Sequence, residues 1–140
     1  MEEIKVVIAT HAELGKAMIE AAEIISGGTE GVRAFGLFPG DSTEDLENEL
    51  RQLVLKLDEG ESILCMTDIP GGSPARVAAA ISLESPNFHV VSGLNLGMLT
   101  EALILKDSMD IKQLKEHIIA SAIITIKDVG VALNEALSQN

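Results

Sequence analysis

Two side chains far apart in the sequence could act on one substrate atom. His11 ends an apolar, β-branched run, Ile4 to Thr10, and Asp68 ends another, Ser62 to Thr67. A neutral imidazole attacks through one ring nitrogen only if the proton sits on the other. A carboxylate that accepts this second N–H selects the tautomer and stabilises the cationic ring as it forms. Directly after Asp68 the chain reads Ile69-Pro70-Gly71-Gly72-Ser73-Pro74. Gly71 and Gly72 let backbone N–H groups approach an anion closely. Ser73 can serve as N-cap and Pro74 as first helical residue, so a helix N-terminus points at the same place. Taken singly, each feature has a plainer use: a histidine after a strand caps or packs, an aspartate before a turn serves the turn, and Gly-Gly-Ser-Pro is loop-to-helix punctuation. Their joint placement points to function, without naming a reaction.

That joint placement depends on the elements between them. Ile4 to Thr10 reads as a strand buried on both faces. Leu14, Met18, Ala21 and Ile25 follow at helical spacing, closed by Gly27-Gly28. Val32 to Phe38 is a second strand, stopped by Pro39-Gly40. Asp41 or Ser42 can cap the next helix, whose inward face is Leu46, Leu50, Leu53, Val54 and Leu57. After the third strand and the Gly/Pro turn comes an Ala-rich helix, Ala75 to Leu83, and then a fourth strand, Phe88 to Val91. A helix through Met98, Leu99, Ala102 and Leu103 follows, and a last one is marked by Ile111, Leu114, Ile118 and Ala122. The segment Ile123 to Val129 fits either a C-terminal edge strand or continuing helix, and we take the strand. Unbroken strand–helix alternation predicts a single α/β domain over residues 1–140: an open, mainly parallel sheet with helices on both faces. In a 2-1-3-4 strand order, ligands bind at the carboxyl ends where the order reverses, between strands one and three. Thr10, His11 and Asp68 stand at that point.

Composition narrows the function classes. With 140 residues the chain can bury roughly two-thirds of its unfolded surface, and three Phe with no Tyr or Trp make the core aliphatic. Ten scattered basic residues in a chain of net charge -12 argue against nucleic acid, which demands clustered cations. An acidic surface suits a basic partner. The single Cys65 excludes an internal disulfide, fits a reducing compartment and reads as a small core residue. The acidic start and short apolar runs carry no secretory signal and no membrane span, so a cytoplasmic location is expected.

Several chemistries lack their motif. No Gly-rich loop ends in Gly-Lys-Ser/Thr, and the first strand–helix turn, His11-Ala12-Glu13-Leu14-Gly15, is no dinucleotide fingerprint. Gly71-Gly72-Ser73-Pro74-Ala75 is no nucleophile elbow. A receiver aspartate is missing from the end of strand one. His11, His89, His117 and Cys65 show no metal-ligand spacing, so no metal or other cofactor is expected, and His89 and His117 read as structural.

The chain resembles the IIA component of the mannose family of the bacterial phosphoenolpyruvate-dependent sugar phosphotransferase system (PTS). The resemblance rests on Ile8-Ala9-Thr10-His11, Phe38-Pro39-Gly40, Asp68-Ile69-Pro70-Gly71-Gly72-Ser73-Pro74 and Ser92-Gly93-Leu94-Asn95-Leu96-Gly97-Met98-Leu99. It runs over about the first 105 residues. It implies a phosphotransferase in which His11 accepts a phosphoryl group from the phosphohistidine of HPr and passes it to a IIB component, with a membrane IIC/IID pair moving the sugar. Asp68 would partner the ring, and Thr10, Gly71, Gly72 and Ser73 would surround the phosphoryl group. It also implies a homodimer exchanging the final strand, here Ile123 to Val129, and a stand-alone IIA subunit served by a separate IIB chain. Ala12 departs from the family pattern, where a glycine commonly follows the active histidine. Two other roles stay open at this point: a subunit feeding dihydroxyacetone kinase, and a regulatory module switched by phosphorylation of His11.

Overall fold

The computed structural model describes residues 2–139. Four parallel strands form one sheet in the order β2-β1-β3-β4: β1 (Glu3–His11), β2 (Arg33–Leu37), β3 (Glu61–Thr67) and β4 (Phe88–Ser92). This is the 2-1-3-4 order expected from sequence. Helices α1 (Leu14–Ile25), α2 (Thr43–Leu55) and α3 (Ser73–Glu84) are the crossovers. Helices α4 (Leu96–Leu105), α5 (Ile111–Ile124) and α6 (Val129–Ser138) follow β4.

Strand alternation sends side chains to two separate cores. Ile4, Val6, Ile8, Leu64 and Met66 pack with α1, α4 and α5, while Val7, Ala9, Ile63 and Cys65 pack with α2 and α3. β3 is buried at every position, as a central parallel strand must be. Cys65 lies wholly inside, and burial pushes its thiol pKa up to about 12, so it is a core residue rather than a nucleophile.

Two expectations change. The inward stripe of α1 is Gly15, Met18, Ile19 and Ala22, rotated from the Leu14–Ile25 stripe, and Leu14 and Ile25 are exposed. The rotation follows from close packing: a Cβ on Gly15 would lie 2.8 Å from Ile8 Cγ2, so the helix meets β1 through a residue with no side chain. The expected C-terminal edge strand is absent among the described residues. A capping box at Asp110 and Gln113 launches α5, which runs to Ile124, and Asp128 starts α6 by accepting the N–H of Val131 at 2.9 Å. Within one chain the caps decide here, because a fifth strand would need a ladder partner while a helix satisfies its own backbone.

A histidine–aspartate crevice at the strand ends

β1 and β3 run side by side, with Ala9 opposite Thr67, so the next residues on each strand emerge together at the carboxyl end. The Asp68 carboxylate reaches back across this gap. Its Oδ2 accepts the backbone N–H of His11 at 2.9 Å and lies 2.9 Å from His11 Nδ1. Burial pushes the Asp68 pKa up. The backbone N–H of His11, the His11 ring, the N–H of Ile69 and the ring's charge oppose this and prevail, holding the carboxyl below its ordinary value. An ionised carboxylate can only accept, so Nδ1 carries a proton, and in the neutral form of the ring the lone pair is left on Nε2. The Asp68 side chain is 10% exposed and that of His11 46%. The carboxylate is therefore largely enclosed, while nearly half of the His11 side chain is open to solvent.

The rest of Asp68 is anchored by the loop after β4. Its carbonyl accepts the N–H of Gly93 at 2.9 Å, and the carbonyl of Thr67 accepts that of Leu94 at 2.9 Å. Asn95 then caps α4 by accepting the N–H of Met98. Ser92 to Asn95 thus buttresses the carboxylate's backbone, a role that sequence reading leaves unassigned although the motif stands out.

The candidate anion cradle differs in detail from expectation. Gly72, not Ser73, is the N-cap of α3, with Ser73 and Pro74 as the first two helical residues, and no side chain caps this end. The N–H of Gly72 is committed to Ile69 O at 3.0 Å, so it is not a free donor. Gly72 matters sterically instead: a Cβ there would lie 2.7 Å from His11 Cε1. A Cβ on Gly71 would meet open space, so nothing around Gly71 demands a glycine. The N–H groups of Ser73 and Ala75 belong to the uncapped first turn, which favours an anion. The Ser73 hydroxyl accepts from Arg76 Nη2 at 3.2 Å.

Thr10 is not brought to the crevice. Its side chain is fully buried, donating to His11 O at 3.1 Å and accepting from Gly15 N–H at 3.0 Å, so it supplies α1 with the cap that Glu13 does not. Ala12 adopts φ 49°, the only non-glycine with positive φ among the described residues. Left-handed backbone at this turn explains why a glycine suits the position. Gly36 leaves room for it, since a Cβ there would lie 2.2 Å from Ala12 O. The other histidines are engaged elsewhere, His89 Nδ1 with Lys115 Nζ at 2.9 Å and His117 Nε2 with Glu101 at 3.1 Å.

Fold and site together define an open parallel α/β protein that presents a carboxylate-oriented imidazole beside an uncapped helix N-terminus, at its strand-order switch. Residues 5–119 match the EIIA-man family model, described as PTS system fructose IIA component, and the chain belongs to that family. It is 32% identical over 104 residues to the mannose-specific EIIAB component of Escherichia coli K12, covering 74% of this chain and 32% of that protein. The chain thus spans about a third of that relative's length. It is 28% identical to the fructose-specific EIIA component of Bacillus subtilis, over 82% of this chain and 79% of the relative. The crystal structure of phosphotransferase system component EIIA from Streptococcus agalactiae superposes with TM-score 0.83 at 30% identity, covering 91% of this chain and 98% of the other. PTS IIA components are phosphotransfer proteins.

Proposed function

We propose that this chain carries the phosphoryl group on His11 Nε2. The lone pair of Nε2 attacks the phosphorus held on the histidine of phospho-HPr, the donor's P–N bond breaks, and a P–N bond to His11 forms. The same exchange, run onto a IIB component, returns His11 to its resting state. The observation that carries this reading is the 2.9 Å contact of His11 Nδ1 with Asp68 Oδ2, which leaves Nε2 as the nucleophile and balances the ring's positive charge once it is phosphorylated. The N–H groups of Ser73 and Ala75 lie at the uncapped end of α3 and suit the phosphoryl oxygens. In this reading the backbone after Gly72 does more of the holding than Gly71 or the Thr10 hydroxyl.

The working setting we infer is the cytoplasmic face of a sugar-uptake system, with phospho-HPr, IIB and, indirectly, IIC/IID as partners and residues 1–140 acting as one IIA domain. No helix among the described residues is long and apolar enough to cross a membrane. We also infer a homodimer. Ile123, Ile126, Val129, Val131, Leu133 and Leu137 are each more than half exposed, and a second copy of this chain would cover them. Similarity to mannose- and fructose-specific components favours sugar uptake over the dihydroxyacetone-kinase role.

Incubation with phospho-HPr tests the site. The wild-type protein is expected to gain an acid-labile, base-stable phosphate, and His11→Ala none. Labelling of His11→Ala at His89 or His117 would refute the assignment.

A further inference from the structure

The ring of His11 lies against the start of α3: a Cβ on Gly72 would be 2.7 Å from Cε1 and 3.5 Å from Nε2. Ser73 is the next residue, and its hydroxyl differs from that of Ser82 in the same helix. Ser82 donates to Ala79 O at 2.7 Å, and Thr100 and Ser138 likewise donate to carbonyls three and four residues back. As the first residue of α3, Ser73 has no preceding turn to donate to. Its oxygen accepts from Arg76 Nη2 at 3.2 Å, and its own O–H donates to no group among the described residues. A guanidinium only donates, so the hydroxyl proton must turn away from Arg76.

Arg76 is left uncompensated on a chain of net charge -12. Arg51, on α2, is held by two carboxylates, Glu47 at 3.2 Å and Glu84 at 2.6 Å. Arg76 shares the lining of one cavity with Glu44, Glu47 and Ser73, yet it pairs with no carboxylate among the described residues. It also closes the first turn of α3, where the helix dipole disfavours a cation and no acidic residue offsets it. A cation and a hydroxyl proton, both without an acceptor, thus stand one residue beyond the contact with the His11 ring.

We propose that Arg76 is a positioning residue for the phosphoryl group on His11, a role that rests on His11 as the phosphoryl carrier. Arg76 holds the Ser73 hydroxyl so that its O–H donates to a phosphoryl oxygen. A hydroxyl that accepts from a cation is polarised and donates more strongly. The hydroxyl keeps its proton throughout, so the P–N exchange at Nε2 involves no further acid or base. Lysine would supply a charge and a donor without the planar fork, and replaces arginine only in part.

The test is the equilibrium of phosphoryl exchange between phospho-HPr and the full chain, read from the phosphorylated fraction of each protein. Arg76→Ala is expected to move the exchange constant about tenfold toward phospho-HPr, with Arg76→Lys falling between it and wild type. In a Ser73→Ala background, Arg76→Ala is expected to add less than about twofold, because the two side chains act as one unit. Arg76 is exposed and pairs with no carboxylate, so urea midpoints of wild type and Arg76→Ala are expected to agree. Three results would each overturn the proposal while leaving His11 as the carrier: an unchanged exchange constant in Arg76→Ala, full additivity with Ser73→Ala (a general charge effect only), or a loss that tracks a lowered urea midpoint. No phosphate on the wild-type chain would instead overturn the His11 reading, and the role of Arg76 with it.

Discussion

The crevice around His11 and the tail from Ile123 to Ser138 are placed by different kinds of force. At the crevice, two paired strands, a buried carboxylate and a buttressing loop all act on one ring, through directional bonds near 2.9 Å. In the tail, α6 buries no residue, and Leu133 is 59% and Leu137 66% exposed. A site that must hold a ring in one orientation is over-determined by hydrogen bonds. The exposed tail is held locally instead, by its helical backbone, the Asp128 cap and the Ser138 hydroxyl donating to the Asn134 carbonyl.

The largest effect that could break this contrast is Gly72→Ala. If the crevice is as tightly built as the 2.7 Å approach to Cε1 implies, the added methyl displaces the ring and phosphoryl transfer falls about a hundredfold in single-turnover assays. Unchanged rates would mean that the ring has slack. Asp68→Asn should slow transfer by about tenfold or more, because the ring loses its anionic partner.

The same substitution carries a pH signature. The folded carboxyl lies below its ordinary value of 3.8, so its contribution to stability is complete above that value and is lost as pH falls through the lowered folded one. Urea midpoints of wild type and Asp68→Asn should therefore differ at neutral pH and converge on acidification below 3.8. A gap that widened in acid would contradict the placement of this carboxylate.

The tail is expected to behave in the opposite way. Leu133→Glu should change monomer stability by no more than about 0.5 kcal/mol, since the residue is exposed. It should nonetheless shift sedimentation from dimer to monomer, leaving phosphorylation by phospho-HPr intact. At the turn after His11, Ala12→Gly relieves the 49° φ and should stabilise the chain by about 1 kcal/mol in chemical denaturation. A destabilised Ala12→Gly would show that the turn is not strained.

Sequence by itself determined much of the crevice. Period-two and continuous apolar runs identify the strands, the crossover rules leave few sheet orders, and the switch point then brings His11 and Asp68 together before any coordinate is known. It also marked Ser92 to Asn95 as a motif, without revealing that Gly93 holds the carbonyl of Asp68. Three things waited for tertiary structure. Thr10 turned inward because α1 lacks a side-chain cap of its own and the buried hydroxyl supplies one. Gly72 took the N-cap of α3 and the ring contact together, leaving Gly71 without steric necessity. Ile123 to Val129, β-branched enough to be a strand, became the end of α5 and the approach to α6. Local propensity states what a segment can be, whereas a strand exists only where a neighbouring edge completes its hydrogen bonds, and that neighbour is a property of the fold.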